Sequence, residues 1–134
     1  MVLVAFAAAF SGCGGTGTQR ESAHVVSVRE RDFRISISRT HVSAGDVVFR
    51  AKNTGPDAHE LIVVRSDGAR LRFRTDGMTI DEEGLEKSIV GALEPGPAGE
   101  TRELRVKLEP GTYTLLCNMY GHYMGGMHST LVVA

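Results

Sequence analysis

From His24 onward the apolar residues of the chain recur with a period of two, which admits strands and disfavours amphipathic helices. Phe33, Ile35 and Ile37 alternate with Arg34, Ser36 and Ser38; Val47, Phe49 and Ala51 alternate with Val48, Arg50 and Lys52; Leu104, Val106 and Leu108 alternate with Glu103, Arg105 and Lys107. Each run reads as a half-buried strand of an antiparallel sheet with one wet face. Residues 61–64 and 131–133 are continuously apolar and read as central strands. Turn signals separate the runs, among them Ala44-Gly45-Asp46, Asn53-Thr54-Gly55-Pro56, Ser66-Asp67-Gly68, Thr75-Asp76-Gly77 and Glu109-Pro110-Gly111. The pattern predicts an all-β fold, a Greek-key β-sandwich of about seven or eight strands. Residues 79–99 are the least strand-like: 81–87 reads as a short helix or acidic loop, and 94–99 as a surface turn.

The length of 134 residues fits one domain, and a formal charge of −1 gives no electrostatic footprint for nucleic acid. Two cysteines allow one disulfide at most, so the core and not cystine bridges must hold the fold. No Ser/His/Asp triad, phosphate loop or paired-carboxylate motif points to an enzyme.

Residues 1–10 form an apolar block, about half the ~20 residues that cross a bilayer as a helix, and Ser11-Gly12-Cys13 follows. Small residues before a cysteine, after a hydrophobic segment, resemble the lipobox of bacterial lipoproteins. The resemblance implies that residues 1–12 are a signal peptide, that Cys13 is the lipidation site, and that 13–23 are a lipidated, flexible tether. The folded domain, 24–134, would then work outside the cytoplasm, anchored to a membrane. A lipidated Cys13 leaves Cys117 without a disulfide partner.

The carboxyl end carries the chemistry. Cys117, His122 and Met127 fall between a predicted strand and the last one, and His59 heads the apolar run 61–64. A thiolate, imidazoles and a thioether are soft donors that favour copper; two His, one Cys and a weak axial Met make a blue-copper site. Taken singly, each residue has an ordinary reading: a buried cysteine is usually an inert small hydrophobe.

At these residues the chain resembles the cupredoxins, the small blue copper proteins. The resemblance rests on the upstream His59 before an apolar strand, the Pro110-Gly111-Thr112-Tyr113 lead-in, and the Cys117-x4-His122-x4-Met127 spacing, which is nearer to the rusticyanin- and sulfocyanin-like members than to plastocyanin. It implies one type 1 copper per chain, with His59, Cys117 and His122 as equatorial ligands and Met127 as the axial one, beneath loops at one end of the sandwich. Glu60 stands where plastocyanin and azurin have an asparagine that braces the ligand loop. Met124 is a rival axial ligand. Met119, Tyr120, Tyr123 and Met124 are expected at the rim, while His24, His41 and His128 read as surface histidines, with His128 nearest the site's edge.

The implied function is a one-electron carrier that docks redox proteins weakly near His122, burying less than about 1,200 Å², and acts as a monomer. The alternative is a copper-binding protein for buffering or delivery, and a third reading is a metal-free interaction domain. Catalytic copper would need further histidine clusters, but the chain has five histidines and no His-x-His pair. A binuclear centre would need a cysteine at Gly121, and structural zinc sites use four N/S ligands without a thioether.

Overall fold

The computed structural model describes residues 22–134; the expected signal peptide, Cys13 and most of the expected tether lie outside the described residues. Among the described residues nine strands form two sheets: β1 (His24–Arg31), β2 (Arg34–Ile37), β3 (His41–Val42), β4 (Gly45–Asn53), β5 (His59–Arg65), β6 (Ile89–Gly96), β7 (Thr101–Leu108), β8 (Gly111–Leu116) and β9 (His128–Val133). One sheet runs β2-β1-β4-β7 and the other β3-β9-β8-β5-β6. A 3-10 turn at Glu83–Leu85 is the helical element among the described residues, inside the segment read as a short helix or acidic loop.

The alternation closes a single core between the sheets. Val26 and Val28 of β1, Val47, Phe49 and Ala51 of β4, and Leu115 and Leu131 of the opposite sheet are buried together. The apolar run of β5 is two-sided because it lies between β8 and β6 and is covered on both faces. Leu61 and Val63 face the main core, while Ile62 and Val64 face a second cluster with Leu71, Ile80 and Leu116.

Four sequence expectations change. The strand count is nine, because the two-residue β3 and β6 are added. The sheets are mixed rather than antiparallel: β1 pairs parallel with β4, and β3 with β9. The stretch 94–99 is not all turn, since β6 extends to Gly96, which pairs with His59. Pro95 is tolerated because β6 is an edge strand with a register shift there, where no ladder donor is needed. Gly91, which breaks the apolar pattern, lets β6 approach β7: a β-carbon there would lie 2.8 Å from Val106 Cγ1 and 3.1 Å from Leu104 Cδ1.

The fourth change concerns Phe33, which is not an inward strand residue. It sits at the tip of the β1–β2 hairpin with φ of 61° and is 52% exposed. An aromatic residue in the left-handed region is uncommon and costs backbone strain.

Arg102 is one of the polar side chains that reach from one sheet to the other. Arg102 of β7 lies 3.1 Å from the Glu30 carboxylate of β1 and donates to the His59 carbonyl at 3.0 Å and to the Glu94 carbonyl. Glu30 is fully buried. Burial pushes its carboxyl above the ordinary value, and the Arg102 charge and hydrogen bond only partly offset this.

Candidate metal centre

The candidate ligands converge at one end of the sandwich. β5 begins at His59, β8 ends one residue before Cys117, and β9 begins one residue after Met127. The intervening loop is wound on itself: Cys117 N–H donates to the Met127 carbonyl at 3.2 Å, and Met127 N–H to the His122 carbonyl at 3.0 Å. Gly121 and Gly126 take the positive φ values of 78° and 106° that this winding requires.

The donor atoms of His59, Cys117 and His122 all lie within 4.8 Å of one another, and all three residues are buried. His122 Nδ1 is 3.5 Å from Cys117 Sγ, and the two imidazole rings sit 5.2 Å apart. Among the described residues the buried His59 Nδ1 has no hydrogen-bond partner, while its Nε2 lies 3.0 Å from Asp32 Oδ1. An unpartnered buried nitrogen costs free energy unless something fills its lone pair. A soft cation among these three donors would fill it, so the residues present fit a copper ion.

Met127 is fully buried in the same cluster as Cys117. Met124 is 54% exposed, which places the rival axial candidate on the surface. Tyr120 is also exposed. Tyr123 is half-buried between Phe73 and His128, with centroid distances of 5.6 Å and 4.8 Å. His41 and His128 are exposed as expected, whereas His24 is half-buried and its Nε2 has no partner among the described residues.

Burial pushes the Cys117 thiol up to about 11, opposed by hydrogen bonds from the backbone N–H groups of Glu60 and Met119. Without a cation the sulfur therefore stays protonated at neutral pH. Cation binding would release the proton. The His59 imidazole is held below its ordinary value by burial and by His122, with the Asp32 hydrogen bond opposing, so its neutral, ligating form is favoured.

Glu60 occupies the bracing position differently from an asparagine: its carboxylate accepts from Asn118 N–H at 2.9 Å. Asn118, which sequence reading passed over, extends the brace. Its side-chain amide donates to the Ile80 carbonyl at 3.0 Å and accepts from Ile80 N–H. Asp32 and Phe33 were also missed. The Phe33 ring packs edge-on to His122 at 5.3 Å, and a β-carbon on Gly125 would lie 2.4 Å from it. His122 Nε2 stands 4.0 Å from the exposed Asp57 carboxylate.

No protein-family model and no curated protein matches the chain. Solved structures do. Auracyanin A, a blue copper protein from the green thermophilic photosynthetic bacterium Chloroflexus aurantiacus, superposes with a TM-score of 0.60 at 22% identity, over 84% of this chain and 100% of that one. Auracyanin from Roseiflexus castenholzii gives 0.59 at 18%, covering 85% and 99%. Reduced rusticyanin gives 0.60 at 18%, covering 85% and 82%. The fold is therefore the cupredoxin fold, and the His59–Cys117–His122 cluster is a potential metal site within it.

Proposed function

We propose that the protein is a type 1 copper protein that carries single electrons between redox partners outside the cytoplasm. His59, Cys117 and His122 are its equatorial ligands and Met127 its axial one. The observation that carries the reading is the convergence of three buried donors around the unpartnered His59 Nδ1. Bound there, copper supplies one-electron chemistry between Cu(I) and Cu(II). Each donor is tied to a different anchor. His59 is held by β5 and Asp32, Cys117 by the end of β8 and its N–H bond to the Met127 carbonyl, and His122 by the wound loop. Such anchoring limits rearrangement when the charge of the centre changes.

His122 lies beneath a rim that exposes Phe33, Tyr120 and Met124. An apolar rim over a ligand suits brief docking of redox proteins, which buries little surface. The lipid on Cys13 and the tether before residue 24 rest on the sequence resemblance; they would confine a monomeric carrier to a membrane surface and raise its effective concentration near partners.

The exposed thioether of Met124, beside the ligand loop, favours a second reading in which the protein buffers or delivers copper. The two readings part on rate. A carrier shows fast electron self-exchange and holds Cu(I) against a chelator. Slow self-exchange with ready Cu(I) transfer to the chelator would establish delivery instead.

A further inference from the structure

The β1–β2 hairpin tip reaches both imidazoles of the site, Asp32 touching His59 and Phe33 touching His122. The tip is mounted rigidly on the loop before β5. Thr54 donates to the Glu30 carbonyl through its N–H at 2.7 Å and its hydroxyl at 2.9 Å, and Asp57 N–H reaches Asp32 Oδ1 at 3.3 Å. Gly55 leaves room for the contact: a β-carbon there would lie 2.5 Å from Asp32 Oδ1 and 2.9 Å from His59 Nε2. Gly55 has no positive φ to explain it, so the space itself is what the glycine provides. The strained Phe33 at the same tip is a second sign that the hairpin is held in place for the site.

A carboxylate oxygen that accepts from His59 Nε2 fixes the imidazole proton on that nitrogen. The lone pair is then on Nδ1, the buried atom without a partner. Outer carboxylates of this kind orient a ligating histidine and raise its basicity. We propose that Asp32 is a positioning residue of the metal centre. It presents His59 Nδ1 to the copper and, through its negative charge, favours the cupric over the cuprous state. The assignment rests on the copper reading above.

The test uses the wild type, Asp32→Asn and Asp32→Ala, the first variant removing charge while keeping shape. Nitrogen-15 NMR of the metal-free wild type is expected to show the His59 proton on Nε2, and Asp32→Ala to show a mixture of tautomers. Copper affinity falls about 10- to 100-fold in Asp32→Ala, and the reduction potential rises in both variants. A wild-type proton on Nδ1, or a potential unchanged in both variants of a coloured protein, overturns the assignment and leaves the copper reading intact. Failure of the wild type to take up copper overturns both.

Discussion

Cys117→Ser is expected to abolish the intense visible colour of the copper-loaded protein while leaving the sandwich folded. The colour of a blue site comes from charge transfer between thiolate sulfur and copper, and Cys117 is the only cysteine among the described residues. Serine keeps the size, and the Glu60 and Met119 N–H groups that face the sulfur can donate to its hydroxyl. The metal-free variant should therefore unfold close to the wild type. The loss appears on loading. A ligand present at a hundredfold excess over its dissociation constant stabilises a fold by about 2.7 kcal/mol, and this copper-dependent rise in unfolding temperature should vanish with the thiol. Thermal melts with and without copper, read beside the visible spectrum, check both halves. A variant that keeps its colour would remove Cys117 from the site.

The second large effect is on stability. Arg102→Met leaves the fully buried Glu30 carboxylate without its counter-charge and strips a donor from the His59 and Glu94 carbonyls. Removing one partner of a buried pair costs about 3–5 kcal/mol, so urea unfolding at neutral pH should move by that amount. The sign of the pH dependence follows from Glu30. Its carboxyl is raised in the folded protein from an ordinary 4.5. Its stabilising contribution is therefore complete below the unfolded value and is lost as pH rises through the folded one. Without Arg102 the folded value rises further, and the deficit of the variant should shrink toward acid pH and be largest near neutrality. Replacing Glu30 by Leu as well should recover much of the loss. A deficit below about 1 kcal/mol, or one that grows in acid, would show that the buried pair does not hold the fold together.

The candidate ligands were legible in the sequence because their chemistry is rare and their spacing fixed. Cys117, His122 and Met127 had only to be placed between two strands, and His59 at the head of another. The Glu30–Arg102 pair could also have been found. Glu30 continues the inward positions Val26 and Val28, and Arg102 continues Leu104 and Val106, so two opposite charges end two inward stripes. Phe33 could not have been found that way, because its spacing from Ile35 imitates an inward strand residue and only the backbone reveals the turn. Asp32 follows from that same turn. β6 was hidden because 94–99, with Pro95, reads as a surface turn and Gly91 interrupts the apolar pattern. The close approach to β7 and the edge position that make them acceptable exist only in the assembled sandwich.

The most direct test of the centre is a titration of the metal-free protein with Cu(II), followed in the visible region. The account predicts an intense band that grows linearly and stops at one equivalent, and that is absent when zinc is added in place of copper. A protein that stays colourless through the titration, or that binds zinc in preference to copper, would contradict it.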